Sequence, residues 1–456
     1  MDNKQNYRAL LFFCITDVLI LSIGHALNIG PAVLGGVLVF FLLLLVSHGS
    51  NFLAIMLFYL PWSPVMKLNS GDYTFYTIGF LLFFCYFLFI KELFEKKAVL
   101  RLQNLLLISV IAIYTLTVKL ALGYDISLSY IVFLVMLILI PAYFRIYRNE
   151  LSFEKCIIFF SAGIMAASFS SEILMNYPHM LRFIEITSWE AGGLTRLSGF
   201  YGDANYYAAH ILTAICGLLI LLFNKRNYER ILLFICIITL VYLGFLSVSK
   251  MFILVLAAAA GVWLLSVLIQ KGRAMTKISM LITFAAGVIF IVMSPLFDKL
   301  IQMYAVRFRI VSDISSFTTG RSDILQDYFS YLINHPFALL FGQGITQVYT
   351  GEIIYAAHNS FVQIIYQLGI IGSLLLVIWL IQLFSIKGEG NTIAPYSYTR
   401  PVIVVMLLVI SCYGSWLALD ILFADEFFLM PLLFLVGKDY IEGKTKKPDI
   451  QGYIEK

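Results

Sequence analysis

The chain is 456 residues long, 61% hydrophobic and 12% charged, whereas a soluble domain is nearer 45–50% apolar and about 25% charged. A soluble fold of this size cannot hide that much apolar surface, which excludes a secreted or cytosolic enzyme and predicts a polytopic membrane protein. The net charge of +5 carries no nucleic-acid signal, because the basic residues form short clusters between apolar runs rather than a continuous basic face.

The aromatic share, 39 Phe and 27 Tyr, fits a bilayer, whose interfaces favour such rings. Six cysteines (Cys14, Cys85, Cys156, Cys216, Cys236 and Cys412) lie scattered, without the paired spacing of a zinc site or a disulfide framework. They read as small buried hydrophobes.

Lys4 and Arg8 precede an apolar run from Ala9, and further apolar runs follow at once. That pattern reads as a first membrane span rather than a cleavable leader. A helix needs about 20 apolar residues to cross the hydrocarbon core. Candidate runs lie near 9–27, 32–47, 51–66, 74–91, 102–121, 126–144, 154–174, 203–223, 231–248, 251–270, 278–297, 359–383, 401–419 and 424–437. Several are short or hold a proline, so the expectation is an all-α transmembrane bundle of about 12–14 spans with a large, partly helical outer loop.

Placing both termini in the cytoplasm puts most basic clusters inside, among them Lys91–Lys97, Arg145–Arg148, Lys225–Arg226, Lys271–Arg273 and the Lys444–Lys447 tail. Two outer segments then stand out, 175–202 and 298–357. The second contains apolar residues at helical spacing (Ile324, Leu325, Tyr328, Phe329 and Leu332) and ends at His335-Pro336. It predicts a short amphipathic helix over 322–334. The chain divides into N-terminal helices (1–174), a core with the two outer loops (175–383), and C-terminal helices with a tail (384–456).

Outward arginines run against the positive-inside bias, yet Arg196, Arg307, Arg309 and Arg321 all fall there. A guanidinium binds phosphate or carboxylate through a planar fork, so four of them point to an anion site. Asp313, Asp323 or Asp327 offers each a simpler ion-pair partner. The segment Thr195–Ala209 places Arg196, two glycines, Asp203 and Asn205 before an apolar helix. This suits a capped helix start, which also presents N–H groups to an anion. His358 and Asn359 open another apolar run; the histidine can act as a cap or as a general base. Asp17, Lys119 and Glu172 fall in or near spans, the latter two placed to snorkel at helix ends. The Asp323/Asp327 pair has no further ligand, so no metal site is expected.

These clusters together resemble the O-antigen ligase and polymerase superfamily of integral-membrane glycosyltransferases. The resemblance rests on Arg196-Leu-Ser198-Gly199 followed by Asp203-Ala204-Asn205, on Ser249-Lys250, and on Gly320-Arg321. It continues through His335-Pro336, Gly342-Gln343-Gly344, His358-Asn359 and Gly369-Ile-Ile-Gly372. The ordered set covers about residues 195–375. Ala204 stands where the family has proline, and Lys250 where it has arginine.

The resemblance implies transfer of a glycan from a polyprenyl pyrophosphate carrier on the outer face of a bacterial cytoplasmic membrane, without cofactor or metal. Arg196 and Arg321 would stabilise the leaving pyrophosphate, with Arg307, Arg309, Lys250, Asp203, Asn205 and Asn359 binding substrate. His358 would be the base, and the anomeric centre would invert. A polymerase of repeat units in capsule or O-antigen synthesis and a ligase to lipid A core both remain open, the outer loops favouring the polymerase. A flippase and a chain-length regulator are implied partners. A transporter of a lipid-linked glycan or anion is the reading from another class; absent repeats and charges gathered at one surface weigh against it.

Overall fold

The computed structural model describes residues 3–69, 74–87, 102–177, 179–180, 188–189, 194–224, 227–269, 274–293, 295–309, 320–345, 353, 356–386 and 426–441. In chain order the helices are α1 (Asn3–Ala26), α2 (Gly30–Val46), α3 (Phe52–Tyr59), α4 (Phe75–Cys85), α5 (Leu102–Ala121), α6 (Leu128–Tyr147), α7 (Phe153–Leu174) and α8 (Ala204–Leu221). There follow α9 (Asn227–Leu246), α10 (Lys250–Ile269), α11 (Ala274–Val292), α12 (Pro295–Arg309), α13 (Arg321–Asn334), α14 (Pro336–Phe341), α15 (Ser360–Phe384) and α16 (Glu426–Ile441). The only β-structure among the described residues is a two-residue antiparallel pairing, β1 (Ser188–Trp189) with β2 (Leu194–Thr195).

The protein is thus a helical membrane protein. Among the described residues, 8 helices are long and apolar enough to cross a bilayer: α1 and α5 to α10 over all or most of their length, and α15. Helices α2 and α4 are apolar but shorter. The 51–66 run does not make a span: α3 ends after two turns and continues as a 3-10 segment, Leu60–Val65, which carries Pro61 and Pro64. Each proline removes a backbone donor and crowds the preceding turn, and with two of them three residues apart the run goes on as a 3-10 segment. The 424–437 run lies in α16, which spans Pro431. The 401–419 run and the basic segments 91–97, 225–226, 271–273 and 444–447 lie outside the described residues.

Side chains sort as a bilayer requires. Phe12, Leu38, Leu106, Ile113, Leu254 and Ile381 face outward, where lipid rather than water is the compatible solvent. Helix α8 forms the centre, buried continuously from Tyr207 to Leu221. Around α3 and α4 the core is aromatic: the Phe52 and Phe83 rings stack at 3.8 Å, and Tyr143 meets Phe52 edge-on at 5.2 Å. Helix α7 approaches α3 at Gly163, where a Cβ would lie 2.1 Å from the Phe58 carbonyl oxygen. Such small-residue contacts let membrane helices pack closely. Deep in α1, Asp17 is fully buried and accepts a 2.5 Å bond from the Tyr59 hydroxyl.

Two ends of the bundle are defined by polar contacts. At one, Arg148 forms a two-point ion pair with Asp439 of α16 and also donates to the Ile386 carbonyl, while Lys155 at the start of α7 donates to Asn51 at 2.7 Å. Because α15 finishes at that end, it begins where α7 finishes. There His25 meets the Val65 carbonyl at 2.9 Å, and α8 starts. This second end holds every candidate residue described below.

Candidate active site

Two turns build the first part of the site. From Arg196 to Phe200 each residue is buried, and the segment lies along the turn between α9 and α10. The Leu197 N–H donates to the Leu246 carbonyl at 2.9 Å, and Arg196 Nε donates to the Ser247 carbonyl at 2.8 Å. Gly199 has φ +58°, and a Cβ there would lie 2.9 Å from the Tyr207 ring; a left-handed turn pressed against an aromatic face suits glycine. Beyond it, Asp203 caps α8, its Oδ1 accepting from the Asn205 N–H at 2.6 Å. Ala204 stands at the first position of a helix that starts normally.

Asn205 latches the two turns together, its Oδ1 accepting from the Ser249 hydroxyl at 2.9 Å. Between Ser247 and Ser249, Val248 is held at φ +48° and is almost fully buried. A β-branched residue avoids that region, and strain of this kind collects at functional sites. Lys250, the first residue of α10, reaches over the Phe308 ring with Nζ 5.9 Å from its centroid. Arg196 and Asn205 therefore both bond the 247–249 turn that leads into Lys250, and Asp203 caps the helix that carries Asn205.

Helix α12 lies across this pair of turns. Leu300, Met303 and Tyr304 pack with Val248, against Leu246, Tyr242 and Phe245. The Tyr304 and Phe308 rings stack at 6.4 Å. Arg307 and Arg309 lie in the last turn of α12; their side chains are outside the described residues.

The second part is built on α13 to α15. Gly320, at φ +77°, precedes half-buried Arg321 at the start of α13. The predicted amphipathic helix is present, with Ile324, Leu325, Tyr328, Tyr331 and Leu332 on its inner face, while Phe329 is exposed. Tyr328 meets Tyr366 of α15 edge-on at 5.0 Å, and His335 stacks on Tyr331 at 4.2 Å. Asn359 caps α15, its Oδ1 accepting from the Phe361 and Val362 N–H groups at 3.1 and 3.2 Å. His358 precedes it, half-buried, at φ +47°. It is thus a non-glycine residue in the left-handed region, like Val248, fixed by the cap beside it.

Below this turn α15 breaks. Gly369 has φ +66° and ψ −179° inside the helix, and the Gly342–Gly344 segment docks into the gap. The Gln343 N–H donates to the Tyr366 carbonyl at 2.8 Å, and the Tyr114 hydroxyl of α5 reaches the Phe341 and Leu368 carbonyls at 3.0 and 2.8 Å. Lys119 does not snorkel: it is buried and donates from Nζ to the Ile345 carbonyl at 2.8 Å. Glu172, by contrast, is exposed. Arg321, His358 and Asn359 therefore belong to a frame of α5, α13, α14 and α15. Arg196, Asp203, Asn205 and Lys250 belong to one of α8, α9, α10 and α12.

Sequence reading missed Tyr304, Tyr114 and the role of Lys119. For Tyr304 the signal was there: Leu300, Met303 and Tyr304 repeat at helical spacing in a stretch assigned to loop. Among the described residues no group of three or more His, Cys, Asp or Glu stands within reach of a common metal ion. The donor set is instead guanidinium, ammonium, amide and hydroxyl, which suits an anion.

Residues 235–377 match the family described as O-antigen ligase. The match takes in Lys250, Arg307, Arg309, Arg321, His358 and Asn359, and begins after Arg196, Asp203 and Asn205. No curated protein matches the chain, and no solved structure does either.

Proposed function

Residues 235–377 carry an O-antigen ligase domain, and from that premise we propose that the protein is a membrane enzyme transferring glycan from a polyprenyl-pyrophosphate carrier. The reaction joins oligosaccharide repeat units, making the protein a surface-polysaccharide polymerase. In the step itself an acceptor hydroxyl attacks the anomeric carbon and the carbon–oxygen bond to pyrophosphate breaks. The bonding pair stays on the pyrophosphate, and the proton passes to His358. A single displacement inverts the anomeric configuration.

One further negative charge develops on the leaving diphosphate, and donors fixed before the reaction stabilise it without reorganising. Arg196 and Arg321 fill that role, with Lys250, Arg307 and Arg309 adding positive potential. Asp203, Asn205 and Asn359 hold the turns that carry these cations. The observation that carries the reading is the latch between the turns: a buried arginine bonded to the Ser247 carbonyl, and Asn205 bonded to Ser249 beside Lys250. The site end faces away from the cytoplasm in this reading, with both termini inside, and the lipid tail lies against the apolar outer surface of the bundle.

The test uses purified protein in nanodiscs with a polyprenyl-pyrophosphate-linked repeat unit as both donor and acceptor. A ladder of lengthened chains, lost in Arg196→Ala, is the expected result. Transfer only on addition of lipid A core would identify a ligase. Among the described residues the broken helix at Gly369 and the buried Asp17 are features that transporters share, but Gly342–Gly344 and Tyr114 fill that break with protein. Flux of the lipid-linked glycan without chain growth would establish the transporter instead.

A further inference from the structure

Helix α12 contributes a group that the arginine-based reading does not use. Tyr304 is 8% exposed, and among the described residues its hydroxyl has no hydrogen-bond partner. A buried donor left unmade costs roughly 1–3 kcal/mol, and such orphans ask for an explanation. Packing does not demand the hydroxyl. The ring lies between Phe245, met edge-on at 6.1 Å, and Phe308, stacked at 6.4 Å, and phenylalanine would satisfy both contacts.

The position of the hydroxyl is the informative part. Tyr304 shares one buried cluster with Val248, and Leu246 packs against that cluster. The carbonyl between them, on Ser247, is the one that Arg196 Nε binds, and the Leu246 carbonyl takes the Leu197 N–H. Tyrosine and arginine thus approach the same three-residue turn. The Arg196 charge acts on the phenol, partly offsetting the rise in pKa that burial causes. A phenol so buried keeps its proton, which makes it a neutral donor at any physiological pH. Phe308, one turn further along α12, lies under Lys250. One helix face therefore presents a donor beside Arg196 and a ring beneath Lys250.

We propose that the Tyr304 hydroxyl is a further anion-binding donor of this site, bonding an oxygen of the carrier diphosphate alongside Arg196. The inference rests on the glycan-transfer reading above, which supplies the ligand class. No proton leaves the tyrosine: it donates a hydrogen bond to oxygen that gains charge as the anomeric bond breaks, while the acceptor proton goes elsewhere. A diphosphate oxygen would give the hydroxyl the acceptor that no described residue provides. A neutral donor also adds stabilisation without adding a like charge beside Arg196 and Lys250.

The test is Tyr304→Phe, which removes one oxygen and keeps the ring. Protein in nanodiscs is titrated with undecaprenyl diphosphate, with undecaprenol as the apolar control, and melted without ligand. A hydrogen bond to a charged group corresponds to roughly ten- to hundredfold in binding. The expected result is that loss for the diphosphate, unchanged undecaprenol binding, and a melting temperature equal to or above wild type. Wild-type diphosphate affinity in Tyr304→Phe, or a lowered melting temperature with unchanged affinity, overturns the inference and makes the hydroxyl structural. Arg196→Ala run beside it separates the two levels of argument. If Arg196→Ala loses diphosphate binding and Tyr304→Phe does not, only the tyrosine is wrong. If neither loses it, the diphosphate site itself is elsewhere.

Discussion

Gly342 and Gly369 meet backbone to backbone, each occupying the space where the other's side chain would stand. A Cβ on Gly342 would lie 2.4 Å from the Gln367 carbonyl oxygen, and one on Gly369 would lie 2.4 Å from that of Leu340. Both have positive φ, +79° and +66°. The break in α15 frees carbonyls that lipid cannot satisfy, and Tyr114 supplies the donor. Gly369→Ala and Gly342→Ala should therefore fail to accumulate as folded protein, since clash and backbone strain add. Tyr114→Phe should fold but melt earlier, by about 1–2 kcal/mol. Fluorescence-detected size exclusion and thermal melts in detergent measure both effects.

That pairing also marks how far sequence could see. The spacing of Gly342-Gln343-Gly344 and Gly369-Ile-Ile-Gly372 was visible as part of an ordered set, but nothing in it said that the two elements touch across 27 positions. Caps were partly legible because they are local: Asp203, a cap candidate in the sequence, serves the Asn205 N–H, whereas the cap of α15 is Asn359 and not the neighbouring His358. The proposed anion site was half legible. Arginines stand out against the topological bias, whereas Tyr304 is one of 27 tyrosines and sits in a stretch read as loop. At 51–66, a run already doubtful for its prolines, the α-helix passes into a 3-10 segment after two turns. The helical period misplaced Phe329, because period alone does not say which edge of an apolar stripe meets a neighbour.

At the opposite end, Arg148 and Asp439 bind α16 to α6 with side chains only 12% and 4% exposed. Asp439→Asn leaves the guanidinium buried without its counter-charge, a change that costs roughly 3–5 kcal/mol in comparable sites. The variant should lose thermal stability and leave the transfer chemistry of surviving protein intact, which specific activity per folded molecule would show. A variant as inactive per folded molecule as Arg196→Ala would mean that this end communicates with the site.

Orientation is tested by labelling. Ser330, exposed on α13, and Ser385, exposed after α15, lie at opposite ends of the bundle. In a cysteine-free background Ser330→Cys should react with a membrane-impermeant maleimide in outer-membrane-permeabilised cells, and Ser385→Cys should be protected until the cells are lysed. The reverse pattern would place every proposed catalytic group in the cytoplasm and remove the basis for an outward-facing transfer.

For the arginines, Arg196→Ala and Arg321→Ala should abolish chain growth with normal membrane insertion. Lysine at either position should rescue poorly, because a point charge cannot reproduce a planar fork. Losing one fixed donor to a developing negative charge costs about 10²–10³ in rate, so activity within a few-fold of wild type would remove that arginine from the mechanism. EDTA should leave the rate unchanged, since the site's donors are cationic and neutral groups. Strict dependence on a divalent ion would point to a ligand set beyond these residues.

His358 gives the sharpest separation of binding from chemistry. It sits in the turn capped by Asn359, on the frame of α13 to α15, while Arg196 and Lys250 are held by α8 to α12. Removing the imidazole therefore leaves the Arg196 and Lys250 turns untouched. His358→Ala should bind undecaprenyl diphosphate as wild type does and lose transfer by about 10²–10⁴-fold, the usual contribution of a general base. His358→Gln keeps a polar side chain without an acceptor of comparable basicity, and should fail equally. Asn359→Ala, which loosens the cap, should reduce transfer less, because the histidine is displaced and not deleted. Purified protein scored separately for donor binding and chain growth decides the matter. Normal binding with near-normal transfer in His358→Ala would make the residue a helix-end element, and loss of donor binding would assign it to the diphosphate site and send the search for a base to another residue.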